Sequence, residues 1–363
     1  MNKRFNANIR IVAFLSVKEL IKTSAKSELK KLSPRAIVLP AFPGLKNFEY
    51  TFLFLLFVCL FTGERNAICR NIFCTRVALK VKRLGLLKKV VLDGRSAMSA
   101  EIKEYDVFPV DYLRSNAVNF ESDSVSNCDF RIAVSEKLVQ FWRDQFNYTA
   151  SDHVVIPCTL DTKHFQDFDN LRVDKNSDIR RKLGFEVKDV VYVYSGSNAP
   201  WQSFDLIEKF ISEIIVISDN AKFLFLSKKS LNIERLILKY PDRIKCVWLD
   251  HKLVPFYLSA CDYGLLLRNN SVTNFVASPV KFAEYLFCGL KIIISESIGD
   301  LSDFVIQHNC GYTVSNDFYN IMNFGPVTVQ QKQNSKNLAI EYFSKDSEVN
   351  KSGYRKLLNS FSN

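Results

Sequence analysis

No CxxC pair and no regular cysteine spacing occurs in this 363-residue chain. Its nine cysteines therefore argue against a zinc site or a disulfide framework and fit a reducing compartment. Histidine is scarce: His153, His164, His251 and His308 are dispersed, and none is assigned as a catalytic base. No apolar run is long enough to cross a bilayer. The chief candidate, TFLFLLFVCLF at 51–61, falls well short of the ~20 residues a spanning helix needs. The start, MNKRFNANIRIVAFL, places basic residues before an apolar run but lacks a small-residue cleavage site. It reads as a first strand and not as a signal peptide. Repeats, low-complexity tracts and nucleic-acid-binding motifs are also missing, so positive charge alone supports no nucleic-acid partner.

The length allows two domains of ordinary size, each with its own core. With 47% hydrophobic and 24% charged residues the composition is globular. The net charge of +11 is uneven: residues 1–100 carry 19 Lys+Arg against 5 Asp+Glu, or +14, and the remainder carries −3. The 51–61 stretch lies in the same basic region, preceded by Glu49. A buried helix is expected there, with shallow membrane contact as the alternative. A basic surface beside such a helix suits an anionic membrane or a lipid phosphate.

Strand-like runs recur between helical stretches at Ile9 to Leu15, Ala36 to Leu39, Ala67 to Phe73, Val90 to Leu92, Phe130 to Val134 and Val154 to Ile156. The rhythm restarts with Val190 to Tyr194, Lys222 to Leu226, Ile244 to Val247, Tyr263 to Leu267 and Leu290 to Ile294. Such alternation predicts an α/β chain with two mostly parallel, helix-covered sheets. Polar, charged residues at 163–181 read as a linker. The expected domains are 1–162 and 182–335, followed by C-terminal helices over 336–363. Two open sheets joined by a hinge would place a ligand cleft at the carboxyl ends of their strands.

Chemistry concentrates in the second half. VVYVYSGSNAPWQSFDLIEKF at 190–210 reads as strand, small-residue turn and helix, where Ser195, Gly196 and Ser197 allow close backbone approach by a phosphate. A plain strand-to-helix turn is the alternative. Trp201 could stack on a ring or simply pack. In VPFYLSACDYGLLLR a strand delivers Arg268 to the same sheet edge. SPVKFAEYLFCGLKIIIS at 278–295 then predicts a helix with Ser278 as N-cap, Pro279 at its first position and a stop at Gly289. Phe282, Tyr285, Leu286 and Gly289 share one face, and Lys281, Glu284 and Cys288 another. Arg268 and Lys281 could hold a diphosphate while Glu284 accepts two ribose hydroxyls. A solvated Lys281–Glu284 pair is the plain alternative.

In this order, together with GDLSDFVIQHNCGYTV and the upstream CDFRIAVSEKLVQFW and VVIPCTLDTKHF, with Pro157, Asp161 and Phe165 at expected places, residues 128–315 resemble retaining glycosyltransferases of the GT-B fold, family four, of the bacterial surface-polysaccharide type. The resemblance implies two Rossmann-like domains facing a cleft. It also implies transfer of a sugar, with retention, from a nucleotide sugar to a lipid-linked or growing surface-glycan acceptor, at the cytoplasmic face of a bacterial membrane. Glu284 becomes the ribose-binding carboxylate, Arg268 and Lys281 the stabilisers of the leaving diphosphate, and Ser195, Gly196, Ser197 and Trp201 donor-site residues. VVLDGRSAMSAEIKEY resembles a segment facing the acceptor, which makes Asp93, Arg95 and Glu101 acceptor-side candidates. No cofactor or metal is implied, since the DFD at 167–169 lies in the expected linker and not after a strand. Two features depart from the family. Val276 stands where a glutamate eight residues before Glu284 is usual, and SGSNAPWQ lacks the usual basic residue. A non-catalytic binding partner in glycan assembly and a nucleotide-sugar epimerase are the rival readings.

Overall fold

The computed structural model describes residues 8–21, 23–42, 44–106, 110–162, 172–197, 199–319 and 321–362. Its first half runs β1 (Val12–Leu15), α1 (Val17–Ile21), α2 (Thr23–Leu32), β2 (Ile37–Pro40), α3 (Phe52–Thr62), β3 (Asn66–Arg70), α4 (Ile72–Arg83), β4 (Lys89–Gly94), α5 (Met98–Tyr105), α6 (Asp111–Asn127), β5 (Phe130–Ala133), α7 (Glu136–Phe146) and β6 (His153–Val155). The second half runs α8 (Arg172–Leu183), β7 (Val190–Ser195), α9 (Phe204–Ile217), β8 (Ala221–Leu226), α10 (Leu231–Lys239), β9 (Ile244–Val247), α11 (Val254–Ser259), β10 (Tyr263–Leu266), α12 (Val272–Phe275), α13 (Val280–Phe287), β11 (Lys291–Ser295), α14 (Leu301–His308), β12 (Gly311–Val314), α15 (Val329–Leu338) and α16 (Glu348–Asn359). Of the expected linker, 163–171, with His164, Phe165 and the DFD triplet, lies outside the described residues, and the chain from Arg172 is α8.

The chain forms two compact units. The first comprises Met1–Gly94, Met98–Ile132 and Gln145–His153; the second comprises Arg95–Ala97, Ala133–Asp144 and Val154–Asn363. β1 and β2 pair in parallel, and a second sheet has the order β3-β4-β5-β6. The expected strand at Ala67 to Phe73 is cut short, because the Asn71 side chain accepts a hydrogen bond from Cys74 N at 3.0 Å and starts α4 at Ile72. The buried Glu121 accepts from the backbone N–H groups of Met98 (3.2 Å) and Ser99 (2.7 Å), placing a carboxylate at the start of α5. Arg76 lies 4.4 Å over the Phe120 ring and pairs with both Glu49 and Asp123.

The expected burial of the 51–61 helix does not hold. Only Val58 and Cys59 of α3 are buried, whereas Leu53, Phe57, Leu60 and Phe61 are exposed, Phe61 by 86%. Its packing against α4 covers one side. An all-apolar helix then has no polar face left to turn outward.

The second unit carries a six-stranded sheet of order β12-β11-β10-β7-β8-β9, parallel at every pair. Read from β9 this is the doubly wound 3-2-1-4-5-6 order, with the switch point between β7 and β10. A parallel sheet is buried on both faces. One face of the core holds Val191, Val193, Ile292, Ile294, Phe282 and Leu286, and the other holds Tyr192, Phe210, Phe223, Phe225 and Ile293. β12 was not anticipated from sequence.

Asp262, immediately before β10, is a buried junction. Its carboxylate accepts from Arg180 Nη2 (2.7 Å), Val191 N (2.9 Å) and Val327 N (3.2 Å). Arg180 is engaged in turn by the carbonyls of Ala260, Glu186 and Asp189. Removing one partner of such a pair strands the other, at a cost of about 3–5 kcal/mol. Asp262→Ala should lose stability of that order in urea unfolding, with the midpoint falling at unchanged slope.

Candidate functional site

Two crossings of the sheet bring the second-half candidates to the switch point. β7 ends at Ser195, and Gly196 and Ser197 follow in the turn toward α9. Beyond β10, Arg268 is fixed through its backbone: its N–H donates to Ser295 Oγ at 3.0 Å, and its carbonyl accepts from Asn316 Nδ2 at 3.3 Å. The largely buried guanidinium donates from Nη1 to Asn274 Oδ1 at 3.2 Å. Asn274, wholly buried on α12, in turn donates to the Asn269 carbonyl at 3.0 Å.

The helix α13 supplies the other side. Its N-cap is Pro279, not Ser278, whose Oγ accepts from Cys158 N at 3.1 Å. The helix closes as expected before Gly289, with Gly289 N bonded to the Leu286 carbonyl and Leu290 N to that of Tyr285. Lys281 and Tyr285, four residues apart, both reach the β7 turn. The Tyr285 hydroxyl accepts from Ser195 N at 2.9 Å, and its ring lies where a side chain at Gly264 would stand, with Cδ2 only 2.2 Å from the Cβ position. The Lys281 ammonium stands 1.9 Å from where a Cβ on Gly196 would be. Glycine is therefore required at 196 for the lysine to occupy this place.

Lys281 is not the solvated partner of Glu284. Its Nζ donates to Gln202 Oε1 at 3.1 Å and lies 4.9 Å from the centroid of the Tyr194 ring. The Tyr194 hydroxyl donates to the Ser197 carbonyl at 2.6 Å, tying the same turn down. Burial, reinforced by the Arg268 charge and partly offset by Glu284, pushes the Lys281 ammonium down to about 7. Burial raises the Glu284 carboxyl above its ordinary range, against the opposing influence of His251 and Lys281. Burial likewise pushes Tyr194 up to about 12, with Arg268 opposing.

Ser195, Gly196, Ser197, Arg268 and Lys281 thus gather around one turn, with Glu284 one helical step beyond Lys281. Trp201 lies in the short 3-10 turn Pro200–Gln202 and is partly buried. Ser203, at the start of α9, accepts through Oγ from Asn269 N at 2.8 Å, linking the two crossings. Sequence reasoning missed Tyr194, Gln202, Asn274 and the second role of Tyr285. The spacing of Tyr285 four residues from Lys281 was the available signal. Val276 is wholly buried, and its carbonyl accepts from Ser135 Oγ at 2.8 Å. In the first half, Asp93 is buried near the end of β4 and belongs with Glu101 to the first unit, whereas Arg95 belongs to the second.

No protein-family model matches the sequence, and no curated protein matches it significantly. Solved structures do. HepE of Anabaena, determined in complex with UDP, matches with a TM-score of 0.70 at 14% identity, over 97% of this chain and 100% of that one. Sucrose-phosphate synthase from Thermosynechococcus elongatus gives 0.67 at 14% identity, over 97% and 100%. WaaG, a glycosyltransferase involved in lipopolysaccharide biosynthesis, gives 0.58 at 10% identity, over 95% and 98%. At these identities the likeness establishes the fold: a mixed α/β chain with two Rossmann-like domains, the GT-B architecture.

The Lys281 environment has a pH signature. In the unfolded chain a lysine titrates near ~10.4, while in the folded chain this one titrates at about 7. Between those values the unfolded state binds more protons, so the lysine's penalty on stability is full below pH 7 and is relieved as pH rises toward ~10.4. Lys281→Met escapes the penalty. It should melt a few degrees above the parent at pH 6 to 7, with the gap closing by pH 10 in thermal scans.

Proposed function

We propose that this chain transfers a sugar from a nucleotide sugar, with retention, to a lipid-linked or growing surface-glycan acceptor. The observation that carries the reading is the cation pair Arg268 and Lys281 at the switch point of a doubly wound sheet, where Lys281 presses against a glycine turn. Fold kinship with a UDP complex and with a glycosyltransferase of lipopolysaccharide biosynthesis supports the same direction. No metal or cofactor enters this reading.

A nucleoside diphosphate would lie along Ser195 to Ser197 with its phosphates toward Lys281 and Arg268. Its ribose would meet Glu284, and Trp201 would border the donor. As the anomeric carbon–oxygen bond to the diphosphate breaks, negative charge grows on the leaving oxygen, and cations already in place stabilise that state more than the ground state. The acceptor oxygen bonds to the anomeric carbon on the same face, and its proton passes to the departing diphosphate. The turn lacks the basic residue usual in the resembled family, and in this reading Arg268 and Lys281, the latter donating to Gln202, take over the diphosphate in its stead. Asp93, Arg95 and Glu101 are proposed for acceptor recognition, the acceptor being held at an anionic membrane surface on the cytoplasmic side.

Val276 favours one second reading, a donor-binding protein without transfer, because a buried valine offers the donor no carboxylate. Turnover separates the two: nucleotide-sugar consumption, measured with and without a lipid-linked glycan acceptor, is expected to depend on the acceptor. Glu284→Gln should weaken donor binding by roughly tenfold or more in calorimetry, the scale of one charge-assisted hydrogen bond. Arg268→Met and Lys281→Met should each lower turnover roughly 100-fold or more in steady-state kinetics, with the fold intact.

A further inference from the structure

The outward side of α3 is a continuous apolar ridge. Leu53, Phe57, Leu60 and Phe61 are spaced to share one helical face, and their exposures run from 46% to 86%. Tyr50, one turn earlier, is 59% exposed. At the same end a cavity of about 350 Å³ is lined by Lys46, Glu49, Tyr50, Phe52, Lys80 and Tyr112, among others, with Lys80 Nζ 5.7 Å from the centroid of the Phe52 ring. All of these residues belong to the first unit.

We propose that α3 is a membrane-docking element: its ridge enters the interfacial layer of an anionic phospholipid bilayer while the exposed Lys46 meets lipid phosphates at its N-terminal end. The helix lies in the surface and does not span it. Eleven residues extend ~16 Å, and no described helix is long and apolar enough to cross a membrane. Charge selects the occupant. Residues 1–100 carry +14, so a second copy seated on this ridge would bring two strongly basic segments together, whereas an anionic bilayer is complementary. The acids flanking the helix do not oppose this. Glu49 is paired with Arg76 and Lys80, and Glu64 with Arg10 at 3.5 Å. Lys46 and Arg65, on either side of the helix, are exposed.

The inference deepens the membrane part of the proposed function and rests on it for its purpose, but its test requires no sugar transfer. The full chain is sedimented with phosphatidylcholine vesicles with and without phosphatidylglycerol, at low and high salt. It should bind the phosphatidylglycerol vesicles at low salt and lose them as salt screens the charge. Phe57→Ser with Phe61→Ser should reduce partitioning roughly tenfold or more, the scale of two exposed rings losing burial, while the melting temperature and nucleotide binding stay unchanged. Lys46→Glu should weaken binding severalfold at low salt and little at high salt. The proposal is overturned if the parent ignores anionic vesicles, if the double variant binds as the parent does, or if light scattering shows a dimer that the double variant dissolves. None of these outcomes bears on acceptor-dependent turnover.

Discussion

A half-buried ammonium pressed against a bare backbone turn is the constraint around which the second unit is arranged. Lys281 reaches the place a side chain would fill at Gly196, and its neighbours there are an amide oxygen, an aromatic face and the charge of Arg268. Such a position disfavours the cation when no anion is present. The same position favours a ligand that brings negative charge, because the low-dielectric setting that penalises the lone cation strengthens its attraction to an anion. A protein selected for stability alone would place a neutral residue here.

Keeping the lysine in place requires both crossings of the sheet. Tyr285, on the same helix, holds Ser195 through its hydroxyl, and the absence of a side chain at Gly264 admits its ring. Ser203 binds Asn269, and Ser295 and Asn316 bracket the backbone of Arg268. Asp262 joins the starts of β7 and β10 at the opposite edge. The turn, the arginine and the lysine are therefore positioned by one connected set of hydrogen bonds, which is how a rigid sheet presents charges at a fixed spacing.

Much of this was legible in the sequence. Continuous apolar runs such as VVYVY and KIIIS marked strands buried on both faces, and their alternation with helical stretches carried the fold class. Arg268, Lys281 and the 195–197 turn could be set at one sheet edge by counting from strand ends. What escaped depended on tertiary contact. Tyr285 read as a core residue, since aromatic periodicity does not tell where a hydroxyl ends. Ser278 had the composition of an N-cap, but Cys158, distant in sequence, took its oxygen. The α3 helix looked buried because apolar composition reports affinity for an apolar surrounding without saying whether the protein itself provides it.

The most direct test of the arrangement is whether occupying the site protonates Lys281. Nucleoside diphosphates of several bases are titrated into the chain by calorimetry at pH 8, in buffers of differing ionisation enthalpy. At pH 8 an ammonium whose pKa is lowered to about 7 should be mostly neutral in the free protein, and a diphosphate beside it should restore the proton, so the heat of binding should vary with the buffer and show substantial proton uptake at the site. That uptake should vanish in Lys281→Met. A heat independent of buffer, or no binding by any nucleoside diphosphate, would contradict the assignment of this turn as the diphosphate site.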